Sequence, residues 1–400
     1  MPSNLSRFLL PLILITIGLI LSSALVPLSE GLVWGFYGHR KINQMAVFTL
    51  PPKLIPFFKY HIGFVSEHAV DPDVRRYATE YEAVRHYIDI DHWGDQPFED
   101  VPKIFETAIA KYGVIQIIHE EGDSTLYDFG HTYALDSLSD VQVISIDTKE
   151  ELERYNDYLA FIKSDVVYNY YEEEWPLPKE ILSGFDEIVV LEDDEITLFD
   201  RFSSYGVLPF YLEQHYGKLV HAFRMGDEER ILRLAADMGH YISDAHVPLH
   251  TTENYNGQLT NQLGIHAFWE SRIPELSAED DYDFIVGKAK YIRNKSDFFW
   301  KIIEESHALV DDVLSIETEV SKTFPSDQQY CYEDRLDKNI RLECTEYALA
   351  YEKALKGMVE ERMRQSIHAV GSVWYSAWKD AGQPVLEFGN ATISDTITIE

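Results

Sequence analysis

A histidine and an aspartate sit four residues apart inside a stretch that otherwise reads as an apolar helix, and this pair limits what the chain can fold into. Ile231, Leu234, Ala235, Met238 and Ile242 recur at helical spacing. Gly226-Asp227 followed by Glu228-Glu229 marks the start, with Asp227 as cap and acids in the first turn. The line runs through to Ala245, and Val247-Pro248 breaks it. His240 and Asp244 therefore lie one above the other on a single face. Burying an unpaired carboxylate among apolar neighbours is costly, so a positive partner has to reach that face. The pattern recurs at His266 and Glu270, with Ala267, Phe268 and Trp269 between them, and His250 follows shortly after Pro248.

One His–Asp pair on a helix is commonly a hydrogen bond or a surface ion pair. Two such pairs with His250 close by weaken that reading and put a metal site on an equal footing with it. Imidazole and carboxylate together are a zinc-type donor set with bonds of ~2.0–2.2 Å, and a bound cation removes the cost of burying the acids. Two further segments carry the same residue types: Trp34-Gly-Phe-Tyr-Gly-His39, and His86-Tyr87-Ile-Asp89-Ile-Asp91, preceded by Asp71-Pro-Asp73-Val-Arg-Arg76. Cys331 and Cys344 are the only cysteines. Any metal must then be held by His and carboxylates, while the two thiols could close a short loop in an oxidising compartment.

Taken in order, these segments resemble the superfamily of zinc-dependent phospholipases C and trinuclear-zinc, single-strand-specific nucleases (the S-one/P-one type). The matching patterns are Trp-Gly-x-x-Gly-His, His-aromatic-Ile-Asp, His-aromatic-Ile-x-Asp-x-x-x-Pro-Leu-His and His-x-x-x-Asp/Glu. The match covers roughly residues 34–95 and 205–275. The resemblance implies a helical fold and two to three zinc ions. It would place Asp73, His86, His240 and Asp244 on one ion, and His250, His266 and Glu270 on a second with an open position. Trp34, His39 and Asp244 would hold the third, the Trp through backbone groups. Asp71 competes with Asp73 as a ligand, and the Asp-x-x-Arg spacing to Arg76 favours Asp73. Asp89 matches a family carboxylate near the nucleophilic water, against a simpler role supporting His86. Tyr87 matches a base-stacking position, against an ordinary core aromatic. His92 and His246 read as supporting residues.

The rest of the chain bounds the setting. Of 400 residues, 68 are Asp or Glu and 34 Lys or Arg, a formal charge of −34, which argues against specific duplex DNA binding. Arg7 precedes an uncharged apolar stretch from Phe8 to Val26 with small residues at Ser22-Ser23-Ala24. Residues 1–24 read as a cleaved signal peptide or, if uncut, a membrane anchor. Either way the remainder is exported, periplasmic or secreted, and if Leu25 begins the mature chain, Trp34 has no free amine. The expected fold class is mainly α: a single large helical domain over 34–385 and a tail at 386–400. An inserted segment at about 123–200 contains some β, with strands at Val141–Ile146 and Ile188–Leu191. A second long helix is expected through Glu346 to Trp378.

The expected activity is hydrolysis of a phosphodiester, with a nuclease-like reading first (single-stranded nucleic acid or nucleotides) and a phospholipase C second. Trp34–His39 and His86–Asp89 favour the former and Glu270 the latter. A non-catalytic exported binding protein stapled by metal is the competing reading from another class.

Overall fold

The computed structural model describes residues 35–387 except 121, 130–140, 145, 167–173, 183, 184, 186, 187, 336 and 337. Trp34, the segment 1–24 and nearly all of the tail lie outside the described residues.

The chain is mainly helical. Helix α1 (Phe36–Ala46) opens the described body. Between Val114 and Phe199 the described residues build five strands: β1 (Val114–Ile118), β2 (Ser124–Asp128), β3 (Val141–Val143), β4 (Glu174–Pro176) and β5 (Glu195–Phe199), in the order β3-β2-β1-β5-β4. Among the described strands only the β2/β3 pair is parallel. Helix α2 (Lys149–Phe161) lies between β3 and β4 and begins with a capping box, Thr148 Oγ1 accepting from the Glu151 amide at 3.1 Å.

The long helices follow: α3 (Leu208–Met225), α4 (Glu228–Ala245), α5 (Lys295–His307), α6 (Val310–Ser321), α7 (Thr345–Leu355) and α8 (Met358–Asp380). Gly226, at φ 65°, closes α3, and the Asp227 side chain accepts from the Arg230 amide to cap α4. A hairpin of β6 (Tyr330–Arg335) and β7 (Lys338–Glu343) precedes α7, and Cys331 is disulfide-bonded to Cys344.

Three readings of the sequence need correcting. The β-rich segment starts at Val114, ahead of residue 123, because β1 is the central strand on which β2 and β5 pair. Ile188–Leu191 is not a strand: the Leu191 amide donates to Asp194 Oδ2 at 2.7 Å, so the acidic run forms a turn and the strand comes after it, at β5. The helix expected through Glu346 to Trp378 is two helices, broken where Lys356 and Gly357 take φ 54° and 83°.

Two apolar cores meet at one block of sequence. Met238, Tyr241, Ile242 and Ala245 of α4 belong to the larger core with Phe58, Trp300 and Trp374. Val247 and Leu249, a few residues on, belong to the smaller one with Phe268, Trp269 and Tyr351. The turn carrying His250 is thus fixed from both sides.

Helices α1 and α4 approach closely at Gly239, where an added Cβ would lie 1.7 Å from Asn43 Oδ1. Asn43 Nδ2 donates to the carbonyls of Val65 and Ala236, both at 3.0 Å, so it has no freedom to move away. Gly239→Ala should therefore destabilise the chain by about 3 kcal/mol through overpacking and a broken buried hydrogen bond. Denaturant unfolding measures this; a loss under about 0.5 kcal/mol would mean that the two helices separate freely.

Candidate metal centre

Helix α4 brings His240 and Asp244 to the junction of the cores, both buried. His240 Nδ1 lies 2.8 Å from the Ala69 carbonyl. A carbonyl only accepts, so Nδ1 carries a proton and Nε2 faces inward. His250 is held the same way, its Nδ1 2.6 Å from the His86 carbonyl, and the Ile88 amide returns a bond to the His250 carbonyl at 2.9 Å. The segment 86–89 is thereby tied to the turn after α4.

The inward nitrogens meet one another. His240 Nε2 and His86 Nδ1 are 3.0 Å apart, and Asp244 Oδ2 lies 3.3 and 2.9 Å from them. His250 Nε2 and His266 Nε2 are 2.9 Å apart, and Glu270 Oε2 lies 3.3 and 2.8 Å from them. Four ligands at ~2.1 Å around one ion are separated by about 3.4 Å, so both trios are close to the edges of such a polyhedron. Two facing lone pairs repel unless a proton or a cation lies between them.

The carboxylates divide their oxygens. Asp244 turns Oδ1, and Glu270 turns Oε1, to His39 Nε2, each at 3.5 Å. Asp73 stands beside the first trio, 3.8 Å from His240 and 3.9 Å from His86, and 4.0 Å from His39. Among the described residues, four groups of buried or half-buried His, Asp and Glu could thus each hold a metal ion: His86, His240 and Asp244; His250, His266 and Glu270; His39, Asp244 and Glu270; and His39, Asp73 and His240. Sharing of Glu270 with His39 is absent from the ligand sets read from the sequence. Spacing shows that Glu270 reaches His266 but not where its other oxygen points.

Other residues singled out in the sequence fall outside these groups. Asp71 pairs with His68 Nδ1 at 2.7 Å. Gly35, next to Trp34, is close enough that a Cβ on it would be 3.9 Å from Glu270 Oε1. Burial, then the carboxylates of Asp91 and Glu253, push the Asp89 carboxyl up to about 7, with His250 pulling the other way. Tyr87 is half-buried and donates its hydroxyl to the Ser204 carbonyl at 2.9 Å. Gly206, at φ 92°, lets the neighbouring turn pass against Tyr87, where a Cβ would lie 2.2 Å from its carbonyl oxygen. His92 Nδ1 pairs with Glu253 at 2.9 Å, and His246 Nδ1 with the Ile242 carbonyl at 2.7 Å.

Sequence reading missed the ion network behind the first trio. Arg75 bonds Asp237 at 2.9 Å and reaches the Tyr241 hydroxyl at 3.3 Å, and Tyr241 donates to Glu82. Arg75 and Tyr241 each neighbour a singled-out residue, which is the only signal the sequence carries for them.

Burial opposes charge throughout the centre; it prevails at His86, whose imidazole is pushed below its ordinary value, and facing groups outweigh it at Asp244, Glu270, His240 and His250. Asp244, and the Glu270 carboxyl held by His250 and His266, stay well below the ordinary carboxylate range. The Asp244 and Asp73 carboxylates raise His240, and those of Asp244 and Glu270 raise His250, each to about 9. In the metal-free chain both imidazoles carry protons at pH 7, and a metal ligand must give its proton up. Zn2+ titrated into the metal-free chain at pH 7 should therefore release about two protons per chain. Apparent affinity should fall as pH drops from 9, where the proton holds the site, and level off above it. Calorimetry in buffers of different ionisation enthalpy measures this, and release of no proton would show that the imidazoles are already neutral. No family model and no curated protein matches the chain, so its own residues carry the case for the centre.

Proposed function

We propose that this chain is an exported, zinc-dependent phosphodiesterase of the nuclease-and-phospholipase-C kind that its motifs resemble, acting first on single-stranded nucleic acid or nucleotides. The observation that carries the reading is the double trio with shared carboxylates: Asp244 and Glu270 each present one oxygen to a pair of histidines and the other to His39. All-imidazole and carboxylate donors of this kind suit zinc. Ions held by His86, His240 and Asp244 and by His250, His266 and Glu270 would supply positive charge for a phosphate oxygen and acidify a water, the demands of phosphodiester hydrolysis. Among the described residues no helix is long and apolar enough to cross a membrane.

The chain's own residues supply the rest. A cleft opens over the centre, lined by Phe36, Asp73, Arg76, Tyr77, His266 and Glu270. Arg76, 3.7 Å from Asp73, puts a guanidinium where it can bind a phosphate oxygen. Asp89, with its carboxyl near 7, is suited to take and return a proton close to neutral pH. Exposed Tyr77 and Tyr255 stand at the rim, the latter 6.1 Å from the His266 ring between centroids. Aromatic faces of this kind stack on nucleobases, which favours a nucleotide-bearing substrate over a phospholipid. The −34 formal charge is consistent with short or single strands rather than long duplexes.

Single-stranded DNA, RNA and phosphatidylcholine offered side by side to the purified chain test the reading. Turnover of a nucleic acid, lost with chelator and restored by zinc, is expected. Turnover of phosphatidylcholine alone would move the assignment to phospholipase C, and a zinc-loaded chain inert on all three would favour a binding protein. His266→Ala and Glu270→Ala should each remove about one zinc and lower turnover by roughly two orders of magnitude or more. Full zinc content in both variants would show that these residues are not ligands.

A further inference from the structure

The backbone that carries Glu270 is not an ordinary helix. Phe268–Arg272 forms one wide, π-helical turn between the short helices Ile265–Ala267 and Ile273–Ser277. Such turns are rare, and many of them sit at functional sites. This one ends on Arg272, which is only 5% exposed. A buried guanidinium needs acceptors for its N–H groups, and β6, β7 and the start of α7 supply them from a distant part of the chain. Arg272 Nε donates to the Glu343 carbonyl at 3.0 Å. A terminal nitrogen donates to Glu333 Oε1 at 2.6 Å and to Thr345 Oγ1 at 3.4 Å.

The charges close on themselves. Glu333 and Arg335 are two apart on β6 and so face the same side, and the Glu333 carboxylate accepts from Arg335 Nε at 2.9 Å. Arg335 also donates to Glu275 Oε1 at 2.7 Å, and Glu275 Oε2 lies 3.6 Å from Arg272. Two arginines and two glutamates form a ring, with one of each on the Glu270 stretch and one of each on the hairpin. The hairpin is itself fixed covalently, since Cys331 is bonded to Cys344, and Cys344 belongs to the smaller core with Phe268 and Trp269.

We propose that Arg272 is a positioning residue for the metal centre: clamped by this ion ring to the disulfide-bonded hairpin, it sets the rotation of the Phe268–Arg272 turn and so aims both oxygens of Glu270. Glu270 has to serve two sides at once, with Oε2 2.8 Å from His266 and 3.3 Å from His250, and Oε1 3.5 Å from His39. A group that must meet metal ions on both oxygens has to be held to within ~0.5 Å, and a turn free to rotate would not hold it. The trio of His86, His240 and Asp244 does not include Glu270, and His240 is fixed there by the Ala69 carbonyl. The clamp therefore acts on one trio and not on the other. It stands on the ion ring and the disulfide, whereas its effect on zinc rests on the proposed centre.

Three variants of the full chain loosen the clamp at different points: Arg272→Met, Glu333→Gln and the double change Cys331→Ala/Cys344→Ala. In each, zinc affinity at His250, His266 and Glu270 should fall about tenfold or more, as for other partners of metal ligands, while the trio of His86, His240 and Asp244 keeps its wild-type affinity. Anomalous occupancy at the two trios, in crystals soaked at one limiting zinc concentration, reads this split. Amide hydrogen exchange of the metal-free chain is the second readout. Amides of residues 268–273 should exchange faster in the variants, and those of α4 should keep their protection. The Glu333 side chain is 35% exposed, so Glu333→Gln tests the clamp even where the buried Arg272→Met fails to fold. Equal loss of zinc at both trios overturns the proposal, as does no loss at either in Glu333→Gln and the cysteine variant. A wild-type chain without affinity for zinc overturns the metal centre instead. The exchange rates of 268–273 then decide the clamp alone: faster exchange in the variants upholds it, and unchanged rates overturn it.

Discussion

Asp244 and Glu270 are acids placed where water cannot reach them freely, and the surrounding structure is arranged to satisfy them. An isolated carboxylate in such a setting would take up a proton rather than stay charged. Here both are held ionised, because histidines converge on them from α1, from the segment 86–89, from α4, from the turn after it and from the stretch preceding Glu270. The Ala69 and His86 carbonyls fix which nitrogen of His240 and of His250 looks inward. Backbone far apart in sequence thus sets the chemistry of side chains that do not move independently.

Packing explains how five segments hold this register. Gly239 lets α1 lie against α4 closely enough for the His39 and His240 rings to stack at 4.0 Å between centroids. The block from Tyr241 to Leu249 inserts into two cores, so the helix end, Pro248 and His250 have little freedom. Arg272, two residues beyond Glu270, is buried and donates to the Glu343 carbonyl at 3.0 Å and to Glu333 at 2.6 Å. The disulfide-bonded hairpin is therefore tied to the stretch that carries the second carboxylate.

Much of this was legible in the sequence wherever chemistry and periodicity coincide. The mainly helical fold, the Asp227 start of α4 and its end before Pro248 follow from local rules that tertiary packing did not override. His240 with Asp244, and His266 with Glu270, are each visible as pairs because a helix turns once in about four residues. What joins the pairs is not visible. Long-range placement decides that Glu270 shares its second oxygen with His39, that Asp73 rather than Asp71 faces the histidines, and that Arg75 and Glu82 stand behind them. The β-rich segment was misplaced for a related reason. β-branched runs mark strand-compatible sequence, but Asp194 takes up the backbone amide of Leu191, and pairing with β1 selects Glu195–Phe199 instead. The break between α7 and α8 falls at Lys356 and Gly357, both at positive φ, and a single glycine costs a helix little enough for periodicity to mask it.

Anomalous diffraction at the zinc edge, on crystals of the full chain grown with zinc, tests the central claim most directly. The account predicts peaks between His86, His240 and Asp244 and between His250, His266 and Glu270, with the carboxylates shared towards His39. Crystals in which these side chains keep their present arrangement, yet show no anomalous peak at either trio, would contradict it.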